Sequence, residues 1–594
     1  MGVRIPPGAH SFLQCAWILR FYLSMIRILL SFILTFIFLL PLGVQASYDP
    51  RIVSNNQFGI HVADLNDIAQ TASLLNTSGG DWGYVTLVIQ EDDRNFDKWQ
   101  AIFDQMRRLH LIPIVRLATK VQQAAWIVPS YESISDWTRF LSSLNWPMEN
   151  RYVILFNEPN HAKEWENTID PAGYARILSS FAEALHASSE DFFVLPAGMD
   201  VSARSDGASL DAFSYWRQMY ETNPGVFTHI DGWTSHSYPN PGFSGSPYAQ
   251  GRGTIWSFAW ELATLSPMGL NPQSPVFITE TGWVHREGKL PNAGLLSASA
   301  VGTNLAIAAQ TAWRDPRVVA VTPFVFSYQD IPFDHFSWKR LGGGGFYEHY
   351  ASYQLIPKTK GAPRQRHAFA FEEPLIPDTL VAASTYTLEG MLLNSGQSIL
   401  SPESFRPELS SNGPGFQAIF DSLPTLEPGE QALVRVHLQT PAAPGSSTLS
   451  VSLVHGEEKI TIASQEVKLI PPPSIELGIQ LGWRRTSVES DVTILIYDDT
   501  TLLHKFTGLE MKEGKVQVKG LTNIIPTRTY RVVALVPYYL PRQIIVPLGQ
   551  EETTLSMPRM YPLDFDGDGA FTFKDLPALL TTQPQAAFLR LFTP

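Results

Sequence analysis

At 594 residues the chain is too long for one hydrophobic core, so roughly two to four domains are expected. Hydrophobic residues at 44% and charged residues at 17% are the proportions of folded domains rather than of disorder. A formal net charge of −13 argues against a general nucleic-acid binder, and no nucleic-acid partner is expected.

The N-terminus reads as an export signal. Residues 28–44 are nearly continuous apolar sequence, preceded by Arg20 and Arg27 and ending in Val44-Gln45-Ala46, which suits a cleavage site. A start at Met25 leaves a compact signal with Arg27 as its charged end. The stretch is interrupted by Pro41 and is short for a membrane span, so a signal peptide over 1–46 is preferred to an uncleaved N-terminal anchor. Either reading puts the protein outside the cell or on its surface. Cys15 is the only cysteine and precedes the cleavage site. The mature chain then has no disulfide, no thiolate nucleophile and no cysteine-bound zinc.

From 47 to 360 short apolar runs alternate with amphipathic stretches. Strands are predicted at 58–62, 84–89, 112–117, 152–156, 192–196, 232–236, 276–279 and 318–326. Helix-like spacing falls at 96–109, 134–143, 171–188, 209–220 and 297–313. The runs are rich in Val, Ile and Phe without strict alternation, as in parallel strands buried on both faces. Eight strands in about 300 residues, most followed by a helix, predict an α/β fold of the (β/α)8 TIM-barrel type.

Beyond that region helical periodicity gives way to alternation. Residues 432–438 and 448–453 each alternate apolar and polar, which predicts a β-sandwich over 361–470. Pro471-Pro472-Pro473 is a stiff linker to a second β-sandwich over 471–558, with apolar runs at 492–497 and 530–535. The last segment is a tail over 559–594.

Two glutamates end strand-like runs: Glu158 in Phe156-Asn157-Glu158-Pro159, and Glu280 in Ile278-Thr279-Glu280-Thr281-Gly282-Trp283. They lie 122 residues apart, so only a tertiary fold brings them together. A barrel would, because all its strands open onto one face. Two carboxyls facing each other there can cleave a glycosidic bond. Alone, an Asn-Glu-Pro occurs by chance, and its Glu can simply favour the start of a helix.

On these motifs the chain resembles the retaining glycoside hydrolases of clan A, (β/α)8 enzymes with an Asn-Glu-Pro acid/base ending strand four and a nucleophilic Glu ending strand seven. The resemblance covers residues 57–353. It implies Glu158 as acid/base, Glu280 as nucleophile, and Asn157 as a hydrogen-bonding partner of the sugar 2-hydroxyl. The context of Glu280 is similar to that of β-glucanases and galactanases, and the overall organisation is similar to the xylosidase-like and exopolysaccharide-hydrolase branch. In Asp231-Gly232-Trp233-Thr234-Ser235-His236-Ser237-Tyr238, at the end of strand six, the resemblance implies that His236 and Tyr238 line the sugar site. Arg116 ends strand three and either faces the cleft or forms an ion pair with a neighbouring acid; His61 lies in strand one and is a second candidate to face the cleft. The chain departs from the family at strand eight. Many members carry a Trp platform there, but this chain has Phe324-Val325-Phe326-Ser327-Tyr328, which leaves that role to Tyr328 or Trp283.

The tail holds Asp564-Phe565-Asp566-Gly567-Asp568-Gly569-Ala570 and, at loop position twelve, Asp575. This is a calcium-loop pattern with ligands Asp564, Asp566, Asp568, the Ala570 carbonyl and Asp575. It resembles a dockerin repeat, whose family would bring a cohesin-type partner. Dockerins carry two repeats and only one is found here, so a structural Ca2+ site is the expectation, with no organic cofactor. The predicted function is an exported, monomeric retaining glycoside hydrolase that cleaves O-glycosidic bonds of β type in a polysaccharide or oligosaccharide. The rival is a catalytically inactive carbohydrate-binding or structural cell-surface protein.

Overall fold

A computed structural model of the chain describes residues 47–483 and 489–581. The expected signal or anchor at 1–46 lies outside the described residues. No helix among the described residues is long and apolar enough to cross a membrane. The chain divides into two compact units, Met1–Gln365 and Arg366–Pro594.

The first unit alternates strand and helix. Its strands are β1 (Gly59–His61), β2 (Gly83–Gln90), β3 (Leu111–Ala118), β4 (Arg151–Leu155), β5 (Phe192–Pro196), β6 (Trp233–His236), β7 (Val276–Glu280) and β8 (Val318–Val321). The helices that follow them in turn are α1 (Ile68–Leu75), α2 (Phe96–Arg108), α3 (Glu132–Ser143), α4 (Pro171–Ser188), α5 (Ala212–Thr222), α6 (Ser257–Leu265), α7 (Ala298–Gln310) and α8 (Glu348–Gln354). Strands β1 to β5 pair in chain order as one parallel sheet, and β6 to β8 as another. Phe58 pairs in parallel with Val321, linking the start of β1 to β8. The Asp231 amide donates to the Val194 carbonyl at 3.0 Å, linking β5 to the chain entering β6.

Helices α1, α6 and α8 lie outside the segments predicted from amphipathic spacing. They have 8, 9 and 7 residues. Two turns are too few for a period of 3.6 to stand out. Strand β8 stops at Val321, short of the expected 326, and the next apolar residues leave the sheet as loop. There the Phe324 amide donates to the Thr281 carbonyl and the Phe326 amide to the His61 carbonyl, both at 2.9 Å. The run misled because loop residues Val325 and Phe326 are as buried as strand residues.

Alternation along the strands divides the core in two. Tyr84, Ile112, Ile114, Tyr152, Ile154, Phe193, Leu195 and Phe277 gather in one cluster between the strands. Val85, Leu87, Val115, Leu117, Val153, Leu155, Val194 and Ile278 pack instead with the helices. Further along, the inner face turns polar: Thr86 Oγ1 lies 2.8 Å from Thr322 Oγ1. Arg116 continues the inward series of Ile112 and Ile114, so the period of two delivers a cation to the carboxyl end of β3.

Among the described residues of the second unit the regular elements are strands apart from a short helix, Asp575–Leu579. Two four-stranded sheets come first, and residues of both, such as Leu388, Val436, Leu449 and Val467, share a core. Strand Gln431–Gln439 buries Val434, Val436 and Leu438 and exposes the residues between, as its alternation predicts. Three- and four-stranded sheets follow, sharing a core that includes Ile475, Val518, Ile494 and Val532.

Candidate active site

The carboxyl ends of β3, β4, β6 and β7 meet in one cluster of charge. Glu280 is the last residue of β7 and is 9% exposed. Its Oε1 accepts from Arg116 Nη1 at 2.8 Å, and its Oε2 from the Tyr238 hydroxyl at 3.1 Å. Burial alone pushes this carboxyl up. The charge on His236 and Arg116 outweighs that and holds it below the ordinary carboxylate range.

Glu158 lies beyond the end of β4, where the chain turns sharply. Phe156 and Glu158 take φ of 74° and 27°, in the left-handed region that costs a non-glycine residue about 1–3 kcal/mol. The Glu158 amide donates to the Gly198 carbonyl at 3.1 Å, which anchors the turn to the loop after β5. His236 Nδ1 lies 2.9 Å from Glu158 Oε1 and 3.8 Å from Glu280 Oε2, so one imidazole joins the two acids. A carboxylate oxygen from each glutamate and a ring nitrogen of His236 all lie within 4.8 Å of one another. Burial would lower the His236 pKa, but the Glu280 and Glu158 carboxylates raise it. Gly198 makes room for this ring: a Cβ there would sit 2.3 Å from His236 Cδ2.

Arg116 Nη1 also donates to Asn157 Oδ1 at 2.6 Å. Glu164, on the single turn Ala162–Glu164 after β4, brings a third carboxyl to the cleft. Burial, then the charge of Glu158, pushes the Glu164 carboxyl up.

These groups open onto a cleft of about 530 Å³. One wall carries Thr119, Trp126, Ile127, His161, Lys163, Glu164 and Asp200; another carries Tyr238, Phe243, Phe324, Phe333 and Phe336. His161 Nε2 lies 3.1 Å from Asp200 Oδ2, and that hydrogen bond raises the His161 pKa. Trp126 is placed by a small hairpin in the loop after β3, in which Val121–Gln122 pairs with Ala125–Trp126.

Of the residues singled out in the sequence, Glu158, Glu280, Asn157, Arg116 and Tyr238 line the cleft, with His236 bridging the two acids from beneath. His236, expected to line the sugar site, is 3% exposed and lies outside the lining, and three others do not line it either. Trp283 is 2% exposed and donates its indole N–H to the Gly245 carbonyl at 2.8 Å, so it is a packing residue and no sugar platform. Tyr328 stands behind Phe333, 5.3 Å between ring centres, and Phe333 takes the cleft position. His61 is buried edge-on to Phe324, and burial together with the Arg116 charge pushes its pKa down to about 3. Sequence reasoning missed Trp126, His161, Glu164, Asp200 and the phenylalanine wall. Only the closeness of His161 and Glu164 to Glu158 in the chain hinted at any of them.

In the tail, Asp564, Asp566 and Asp568 each bring a carboxylate oxygen within 4.8 Å of the others. Gly567 and Gly569 take the positive φ, 77° and 81°, that the tight loop requires. Asp564 Oδ1 is buried and has no hydrogen-bond partner. The Ala570 amide donates to Asp568 Oδ1 at 2.9 Å. Asp575 closes the loop from within, accepting from the amides of Phe565 at 2.7 Å and Thr572 at 2.6 Å.

No protein-family model matches this chain, and no curated protein matches it. Similar solved structures include a family 39 glycoside hydrolase from Bacteroides cellulosilyticus WH2, at 14% identity and TM-score 0.37, covering 69% of this chain and 83% of that one. A β-mannanase from Thermomonospora fusca aligns at 14% identity and TM-score 0.33 over 52% of this chain and 93% of that one. A GH113 β-mannanase from Alicyclobacillus acidocaldarius aligns at 11% identity and TM-score 0.31 over 52% and 98%. Likenesses this distant assign no role to any residue.

Proposed function

We propose that the first unit is a closed (β/α)8 barrel and a retaining glycoside hydrolase acting on β-type O-glycosidic bonds of a polysaccharide or oligosaccharide. One observation carries the reading: Glu158 and Glu280 face each other across the cleft with oxygens within 4.8 Å. Retaining enzymes hold their carboxyls about 5–5.5 Å apart, whereas inverting enzymes leave about 6.5–9.5 Å for a water. The surroundings of Glu280 support its role as nucleophile, since a carboxyl kept ionised by a guanidinium and an imidazole is ready to attack an anomeric carbon. Glu158, which belongs to the Asn-Glu-Pro motif and faces Glu280, is assigned the acid/base role.

In the first step Glu158 protonates the departing glycosidic oxygen as a Glu280 oxygen bonds to the anomeric carbon. In the second, Glu158 takes a proton from water, whose oxygen displaces Glu280 and restores the original anomeric configuration. Tyr238 and Arg116 orient Glu280, and His236 keeps the two carboxyls in register. Asn157 offers a donor to the sugar 2-hydroxyl, while Trp126 and the phenylalanine wall present flat apolar surface to sugar rings.

The chain is further proposed to be exported by its first 46 residues, with the β modules as accessory domains. The tail loop suits calcium: three carboxylates converge, and one buried oxygen lacks a hydrogen bond. Asp564, Asp566, Asp568 and the Ala570 carbonyl would hold the ion, which would supply structural cross-linking only. Asp575 secures the loop.

A screen of 4-nitrophenyl glycosides and polysaccharides, with product anomers followed by NMR, tests the reading. Retention of configuration is expected, together with losses of orders of magnitude in Glu158→Gln and Glu280→Gln. Either variant running near the wild-type rate removes its assigned role. Glycan binding without turnover by the wild type would favour the carbohydrate-binding alternative.

A further inference from the structure

His161 and Asp200 stand in the cleft as a pair that the double-displacement chemistry leaves without a task. His161 Nε2 lies 3.1 Å from Asp200 Oδ2. Both residues are tied to Glu158. The His161 amide donates to the Glu158 carbonyl at 2.9 Å, and the Glu158 amide donates at 3.1 Å to the carbonyl of Gly198, two residues before Asp200. The two segments that carry the pair therefore hold the Glu158 backbone from both sides. Further bonds fix the pair itself. Asp200 Oδ1 accepts from the Ser202 amide at 2.8 Å, its carbonyl accepts from Asn160 Nδ2 at 3.0 Å, and His161 forms an antiparallel bridge with Ser209. None of these contacts uses the second ring nitrogen of His161. Nδ1 has no hydrogen-bond partner among the described residues, on a half-buried side chain in the cleft wall. The bond to Asp200, with the Glu158 charge, raises the His161 pKa against the effect of burial, so Nδ1 keeps its proton to higher pH than in a free imidazole.

Glu280 is held by a different set: Arg116, Tyr238 and His236. The glycosidic oxygen takes the Glu158 proton and leaves with the departing group. A side chain locked to Glu158, and bonded to none of the groups around Glu280, meets that departing group rather than the sugar under attack. We propose that His161 is a specificity-determining residue whose Nδ1 hydrogen-bonds a hydroxyl of the departing group, which makes that group a sugar rather than an apolar aglycone. This rests on the glycoside-hydrolase reading above, since only a scissile glycosidic bond gives the two sides of Glu158 their meaning.

The test uses the full chain and two substrates with the same glycone: a 4-nitrophenyl glycoside, whose leaving group has no hydroxyl besides the one released, and an oligosaccharide. In His161→Ala, kcat/KM should fall about ten-fold further on the oligosaccharide than on the aryl glycoside. The comparison is made within one variant, so any misfolded fraction cancels. An Asn amide lies as many bonds from Cα as Nδ1, and a Gln amide as many as Nε2. His161→Asn should therefore stay closer to the wild-type ratio than His161→Gln, which keeps only the side of the ring that faces Asp200. Equal losses on both substrates, or none on either, would overturn the inference while leaving the hydrolase reading intact. So would His161→Gln lying nearer the wild-type ratio than His161→Asn, or a wild type that cleaves the aryl glycoside and no oligosaccharide of that glycone. A wild type that cleaves neither kind of substrate sinks both ideas together.

Discussion

Glu261 offers the sharpest quantitative handle on the first unit. It lies on α6, is 1% exposed, and accepts from Trp233 Nε1 at 2.6 Å and Ser235 Oγ at 2.8 Å, both on β6 beside His236. Burial pushes its carboxyl up from 4.5 to about 7. The sign follows from linkage. A carboxyl whose folded pKa is raised binds its proton more tightly when folded, so its favourable contribution is complete below pH 4.5 and is lost as pH climbs through about 7. At about 1.4 kcal/mol per pKa unit, the whole loss is about 3 kcal/mol. Glu261→Gln retains an acceptor for the indole, and its NH2 can donate to Ser235 Oγ, whose hydrogen is free to turn to Ser237 Oγ at 2.8 Å. The variant imitates the protonated acid and does not titrate. Denaturant unfolding followed by Trp fluorescence is the assay, since thirteen of the 15 tryptophans lie between Trp82 and Trp338. The stability of Glu261→Gln relative to wild type should rise by about 3 kcal/mol between pH 4.5 and pH 8, as every other titrating group cancels in the difference. A difference flat across that range would refute the reasoning, because it would mean that Glu261 is charged at little cost inside the fold.

Other perturbations bear on the site itself. Tyr238→Phe removes a donor from Glu280 Oε2, and turnover should fall about ten-fold. Burial pushes the Glu280 carboxyl up while His236, Arg116 and Tyr238 hold it down, so the acid limb of the kcat/KM profile should also move to higher pH; an unmoved limb counts against Tyr238 as a stabiliser of the ionised form. Trp126→Ala strips an aromatic face from the cleft and should raise KM several-fold with kcat nearly kept, read from initial rates on an oligosaccharide. Calcium should raise the melting temperature of the wild type and leave Asp566→Ala unmoved, and calorimetry that detects no binding to the wild type would remove the site.

How much of this was legible in the sequence depended on the length scale of each signal. β5 and α4 were readable to the residue, because Phe192–Pro196 is an apolar run with clear ends and Pro171–Ser188 has a proline start and five turns of periodicity. Glu158 and Glu280 were readable because each ends such a run. The short helices α1, α6 and α8 were not, and Val325 and Phe326 imitated a strand because burial, rather than strand geometry, is what an apolar run reports. Trp283 and Tyr328 failed as platforms for a related reason. An aromatic residue near a strand end can face the cleft or the packing behind it, and that choice lies in loop paths. Gly198 carried no visible signal, since only contact with His236 explains the missing Cβ.

The order of the eight strands and of the longer helices, the two acids at strand ends and the aspartate loop follow from local chemistry, which the sequence alone determined: hydrophobic period, turn residues and ligand spacing act over a few neighbours. Which residues confront the acids was decided only by tertiary structure. Arg116 meets both Asn157 and Glu280, and His236 spans both carboxyls, because strands and loops distant in the chain end at one place. Charge interactions of that kind depend on distance and burial, and neither exists until the chain has folded.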